Sequence, residues 1–101
     1  MSTVTVHLVN FRNSIAFYGE EDPSGLVKLL REDHQYTVIG TMAVTGEGVN
    51  AAEEVFDLSN NPARSEERAE LYGNHRSLSV GDIVNVDGTE FVCLPFGWHQ
   101  L

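Results

Sequence analysis

Cysteine and positive charge are what this chain has least of. Among 101 residues there is one Cys, Cys93, and six Lys or Arg stand against fifteen Asp or Glu. A lone thiol cannot close an internal disulfide, so the fold must rest on an apolar core, and a reducing intracellular setting is the expectation. The net charge of −9 removes the clustered cations that grip a phosphate backbone, which disfavours direct DNA or RNA binding. No apolar run is long enough to cross a bilayer. The opening MSTVTVHLVNFRNS alternates and carries no Lys or Arg before Arg12, unlike a signal peptide. A cytoplasmic protein with no membrane partner is therefore expected. Repeats, linkers and low-complexity segments are absent too, and residues 1–101 suit one compact domain.

What is present is a 42% hydrophobic content, enough to fold a domain of this size without metal or disulfide. TVTVHLV (3–9) puts Val4, Val6 and Leu8 on one face and predicts an edge or half-buried strand. In EDPSGLVKLLREDH, Asp22 before Pro23 reads as an N-cap with proline at the first helical position, and Gly25 weakens the first turn. YTVIGTMAV predicts a second strand, ending at the Gly-rich TGEG. NAAEEVFDLSNNP predicts a helix with Ala51, Val55, Phe56 and Leu58 near one stripe. ARSEERAELYGNH has only Ala69, Leu71 and Tyr72 to bury, which predicts a lightly docked helix or a mobile loop, with Gly73 as its stop. If SEERAEL is a regular helix, Glu66 and Glu70 share a face.

The closing stretch IVNVDGTEFVC reads as a hairpin around Asp87-Gly88. That turn pairs Val86 with Thr89, Asn85 with Glu90, Val84 with Phe91 and Ile83 with Val92. One face is then Val84, Val86, Phe91 and Cys93; the other is apolar at the base and polar at the tip. The expected fold class is α+β: a single domain with a small, mainly antiparallel sheet, a C-terminal β-hairpin, and two or three helices packed on one face.

Candidate chemistry is thin. Cys93, His75 and Asp82 can be written as nucleophile, base and orienter, but Cys93 falls in an apolar strand where cysteine acts as a small hydrophobe. His7, His34, His75 and His99 stand singly, without a second metal ligand at helix or knuckle spacing. Adjacent acids such as Glu20 and Glu21 project in different directions, as acid-base pairs do not. Gly46 and Gly48 lack the third glycine of a dinucleotide loop, and Glu47 would face the phosphates. No catalytic residue, metal or cofactor is expected.

A protein partner with a basic surface is the better match to the charge. The acids from Glu47 to Glu70, namely Glu47, Glu53, Glu54, Asp57, Glu66, Glu67 and Glu70, are the candidate contacts. Phe96 and Trp98, either side of Gly97, would add buried aromatic surface, or else close the core.

HRSLSVGDIV resembles the YodL-like domain family through Ser77, Leu78, Ser79, Val80, Asp82, Ile83 and Val84, joined by Gly97 and Trp98 at the end. VFDLSNNP, with Phe56, Asn60 and Pro62, is similar to the family's helix ending in Asn before that turn. The resemblance covers about residues 36–101 and leaves the first 35 unmatched. Two positions depart from the pattern: Arg76 stands where a small or polar residue is commoner, and Gly81 replaces a Ser. The resemblance implies an accessory or counter-defence protein of phages, plasmids and other mobile elements, and it supplies no catalytic residues. Joined to the charge, it suggests a non-enzymatic, nucleic-acid-mimicking inhibitor of the anti-CRISPR or anti-restriction type. The alternative is a structural or self-associating phage component. SVGDIV also begins small RNA-binding β-barrels of the PUA and ASCH kind, a third reading that the acidic surface opposes.

Overall fold

Alternating Val4, Val6 and Leu8 form β1 (Ser2–Val9). The structure, a computed structural model describing residues 1–101, sets this strand inside a five-stranded sheet. A 3-10 helix (Phe11–Phe17), helix α1 (Pro23–Glu32), β2 (Tyr36–Val44) and helix α2 (Val49–Asn60) follow. Next come a mixed helical stretch, 3-10 at Pro62–Arg64, α at Ser65–Glu67 and π at Arg68–Tyr72, and then β3 (Ile83–Val86), β4 (Thr89–Cys93) and β5 (Trp98–Gln100). The strand order is β2-β1-β3-β4-β5 and every neighbouring pair is antiparallel. The result is one α+β domain closed by the expected C-terminal hairpin. β1 is half-buried as anticipated but is not an edge, because it pairs with β2 on one side and β3 on the other. Alternation reports which face of a strand is buried and is silent about its lateral neighbours.

The hairpin register is the one read from the sequence, Ile83 opposite Val92 through Val86 opposite Thr89. Asp87 (φ 49) and Gly88 (φ 95) both take the left-handed conformation that a primed two-residue turn requires. Asp87 also ties the turn to β1: its carboxylate accepts from the Thr3 N–H at 2.9 Å, and its own N–H donates to the Thr3 carbonyl at 3.0 Å. In α1 the Asp22 carboxylate accepts from the Gly25 N–H at 3.1 Å. A Cβ on Gly25 would collide with that carboxylate, so the glycine makes room for the cap.

The helices divide between both faces of the sheet, which corrects the expectation of one covered face. Val4, Val6, Val84, Val86 and Phe91 pack on α2 through Ala51, Ala52, Val55 and Leu58, and Tyr72 joins them from the π turn. Behind the sheet, Ile83 and Val92 pack with Phe17 of the 3-10 helix and Val27 of α1. The physical reason is local: β3 and β4 carry apolar residues at consecutive positions at their base, Ile83-Val84 and Phe91-Val92, so both faces there must be kept from water.

Between Gly73 and β3 the chain is drawn onto the end of β1 by Asp82, which is fully buried. Its carboxylate accepts from the Val9 N–H at 2.8 Å, the Ser79 N–H at 2.7 Å, and both terminal nitrogens of Arg76 at 2.7 Å. Arg76 donates further to the carbonyls of Val9 at 2.6 Å and Ser77 at 3.0 Å, and lies over the Phe11 ring. Gly81 has φ +94, and a Cβ there would lie 2.7 Å from the Phe17 ring. Arg76 and Gly81 therefore both have a packing role in this chain. No helix is long and apolar enough to cross a membrane.

Candidate partner-binding surface

The acids proposed from the sequence fall into two groups. Glu54, half-buried on α2, accepts from Thr45 Oγ1 and from the Gly46 N–H, each at 3.1 Å, and holds the preceding loop on a helix whose N-cap, Gly48, has no side chain to offer. Asp57 and Glu67 are both taken by Arg64: Nη1 to Asp57 at 3.0 Å, and a two-pronged contact to Glu67 at 3.2 and 3.0 Å. The Arg64 hydrogen bonds hold the Glu67 carboxyl below its ordinary range. Glu47, Glu53, Glu66 and Glu70 are exposed and carry no ion pair.

SEERAEL is helical but not a regular α-helix throughout. Its α turn ends at Glu67, and from Arg68 the backbone widens into a π turn in which the Gly73 N–H donates to the Arg68 carbonyl at 2.8 Å. The four-residue spacing of Glu66 and Glu70 is then no longer the α-helical one that aligns two side chains. Arg68 holds the widened turn by donating to the carbonyls of Ser59 at 3.1 Å, Gly73 at 2.9 Å and His75, with its guanidinium over Tyr72. Of the three residues available for burial only Tyr72 is buried.

The aromatic tail also splits. Trp98 opposes Cys93 across the β4–β5 ladder and therefore faces α2, where it meets Phe56 edge to face at a centroid distance of 6.3 Å. It closes the core. Phe96 does the opposite: it is 95% exposed at the tip of the turn between β4 and β5, which is closed by the Leu94 N–H donating to the Gly97 carbonyl at 2.9 Å. Gly97 has φ +80, a conformation that glycine takes without strain.

That tip is a ridge between two grooves, and Leu94 and Pro95 line both. One groove, about 310 Å³, has Phe56 and Trp98 as its wall and Glu53 at its edge. Glu53 and Phe56 lie three apart on α2 and so share a side of the helix. The other, about 300 Å³, has Phe17 and Tyr18 as its wall and Glu20 at its edge. No basic residue lines either one. An aromatic wall beneath a carboxylate suits a guanidinium or ammonium group flanked by apolar chain. Glu53 and Trp98 thus line one groove and Phe96 the other, while Glu47, Glu66 and Glu70 lie outside both.

Sequence reasoning missed Tyr18, Glu20 and Phe56 as parts of this surface. Phe56 reads from the sequence only as part of the α2 stripe, and a short 3-10 helix that exposes Phe11 and Ile15, with Tyr18 exposed at its end, carries no periodic signal. Cys93 is buried, and burial pushes its thiol up to about 12. The Asp82 carboxylate is occupied by Arg76 and two backbone donors, and no side-chain hydrogen bond links Cys93, His75 and Asp82 to one another. Compared with known proteins, the chain matches no family model, no curated protein and no solved structure.

Proposed function

We propose that this chain is a non-enzymatic accessory protein of a phage or other mobile element, acting in the cytoplasm by binding a partner protein with a basic surface. The observation that carries the reading is Phe96, 95% exposed on a ridge between two apolar grooves whose only charged lining groups are the acids Glu20 and Glu53. A large exposed aromatic flanked by pockets is the usual anchor of a protein interface, and surrounding acids steer a basic partner toward it. The resemblance at 77–84 and 97–98 supports the mobile-element setting. In its sharper form the protein mimics nucleic acid and inhibits a defence enzyme, with Glu47, Glu53, Glu66 and Glu70 presenting charge and Glu54, Asp57 and Glu67 fixing the elements that bear them.

The test is capture from cell extract over a salt series, followed by kinetics with the purified partner. Phe96→Ala should weaken binding about thirtyfold, the loss of one interface anchor. Replacing Glu47, Glu53, Glu66 and Glu70 together by Gln should slow association and flatten its salt dependence, since exposed charges act mainly on encounter. Binding that ignores salt and both variants would remove the reading.

A further inference from the structure

We infer that the cavity around Arg12 binds a small organic anion, an aromatic body carrying one carboxylate, sulfonate or phosphate group. Phe11–Phe17 form a 3-10 helix, and in such a helix side chains three residues apart lie one above another. Arg12, Ile15 and Tyr18 therefore make one stripe, and all three are exposed. Ser14 and Phe17 are buried on another side and fix the helix in place: Phe17 packs with Val27, Ile83 and Val92, and Ser14 Oγ donates to the Val80 carbonyl at 2.5 Å. Asn13 Nδ2 adds a bond to Gln35 Oε1 at 2.9 Å. The cavity over the exposed stripe measures about 660 Å³, larger than either groove beside Phe96, and is lined by Phe11, Arg12, Ser14, Ile15, Tyr18 and Ser79. Its Phe11 wall is steadied by the Arg76 guanidinium, 5.3 Å from the ring centroid.

The charge of the lining selects the ligand. Arg12 is one of two cations whose charged group has no ion pair or hydrogen bond, and the other, Lys28, lines a hollow together with Glu20, Asp22 and Glu32. No carboxylate lines the Arg12 cavity. Asp82 accepts from the Ser79 N–H and so lies close behind it, but its carboxylate is fully buried and paired with Arg76. The acids elsewhere repel an anion at long range, and salt screens that repulsion beyond about 8 Å, whereas Arg12 acts at contact. A guanidinium grips an oxyanion through two parallel N–H bonds, and the hydroxyls of Ser79 and Tyr18 add further donors. Apolar walls with a few convergent polar groups are the usual make-up of a ligand pocket. Arg12 and Tyr18 stand two 3-10 turns apart, about 12 Å at a rise of about 2.0 Å per residue, with Ile15 between them, a span that takes two linked ring systems. A basic protein drawn to the Phe96 ridge finds no counter-charge here.

Anilinonaphthalene sulfonate, two linked ring systems with one sulfonate, is the probe, and N-phenylnaphthylamine, the same rings without the charge, is its control. Titration of the whole chain, read by probe fluorescence and by backbone amide shifts, should show one saturable site for the sulfonate, with the shifts centred on residues 11–18 and 79–80. Arg12→Gln should weaken the sulfonate about tenfold or more. The uncharged probe should bind wild type and variant alike, and more weakly than the wild type holds the sulfonate. Ile15→Ser should weaken the sulfonate too, and Phe96→Ala should leave it unchanged. Arg12 and Ile15 are exposed, so neither substitution threatens the fold. Absence of saturable binding, a sulfonate affinity indifferent to Arg12→Gln, or shifts centred on the Phe96 turn each overturns the proposal. So does an equal loss of both probes with Arg12→Gln, which would give the arginine a packing role alone. Capture of a basic partner through Phe96 is measured without either probe, so each reading stands or falls by itself.

Discussion

Replacing Arg76 by Met isolates the buried clasp that joins the 73–82 loop to β1. Asp82 is 0% exposed, and the substitution leaves its carboxylate with only the N–H groups of Val9 and Ser79. Removing one partner of a buried ion pair costs about 3–5 kcal/mol, because the other charge stays desolvated. The Arg76 side chain is 29% exposed, so water reaches the rim of the gap and the cost falls at the low end, about 3 kcal/mol. For a domain of this size that lowers the melting temperature by roughly 12–24 °C. Urea and thermal denaturation followed by circular dichroism measure it, with an unchanged urea slope showing that the same surface unfolds. The sign of a second step checks the cause. Asp82→Asn should destabilise the wild type, whose Arg76 would lose its counter-charge, yet stabilise the Arg76→Met protein by removing the stranded charge. A loss under about 0.5 kcal/mol for Arg76→Met, within the range of ordinary surface changes, refutes the reasoning. So does an Asn that harms both backgrounds equally.

Other substitutions and conditions probe separate parts of the fold. Gly81→Ala brings a Cβ against Phe17 at a φ of +94 and should cost about 2–4 kcal/mol by chemical denaturation. Gly88→Val has open space around it but the same conformational penalty at φ +95, so a loss of about 1 kcal/mol or more is expected, and an unchanged melting temperature would contradict the turn. Cys93, with its thiol raised to about 12, should react with a thiol reagent slowly in the native protein and rapidly in urea; fast native labelling would contradict its burial. His7 is held below its ordinary 6.5 by burial and then by Arg31. The unfolded chain therefore binds that proton more readily, and stability should decline as pH falls from 6.5 toward the folded value, a slope that His7→Gln should remove.

The parts of the fold that were legible in the sequence are those governed by near neighbours. Asp87-Gly88 fixed a hairpin register because a primed turn permits only one alignment of its flanks. Asp22-Pro23 marked a helix start because cap and proline act within a single turn. The second covered face is written in the consecutive apolar pairs Ile83-Val84 and Phe91-Val92. What stayed illegible depends on pairs far apart along the chain. Arg76 is six residues from Asp82 but its second acceptor is Val9, and Arg64 removes Asp57 and Glu67 from the free surface, which composition cannot reveal. The same holds for the candidate site: Glu53, Phe96 and Trp98 were singled out, yet only the β4–β5 register turns Trp98 inward and leaves Phe96 at the tip.

Those long-range pairs decide where the charge of the molecule lies. Arg31, Arg64 and Arg76 are spent on Glu90, on Asp57 and Glu67, and on Asp82, while Arg68 caps backbone carbonyls beside Tyr72. Only Arg12 and Lys28 remain as cations without an ion pair or a hydrogen bond from the charged group. The fold thus takes most of its few positive charges inward, to lock the joints between α1 and β4, between α2 and the 62–72 stretch, and between the loop at 73–82 and β1. The acids left outside have no local counter-ion, and a field of one sign results over most of the surface. Such a field reaches about a Debye length, roughly 8 Å at physiological salt, and cannot by itself define a bound geometry. Geometry needs a short-range anchor, and Phe96 is the most exposed large hydrophobic in the chain. If the protein binds as proposed, attraction and anchoring rest on different residues. Neutralising exposed acids should change how fast a basic partner arrives, and truncating Phe96 should change how long it stays.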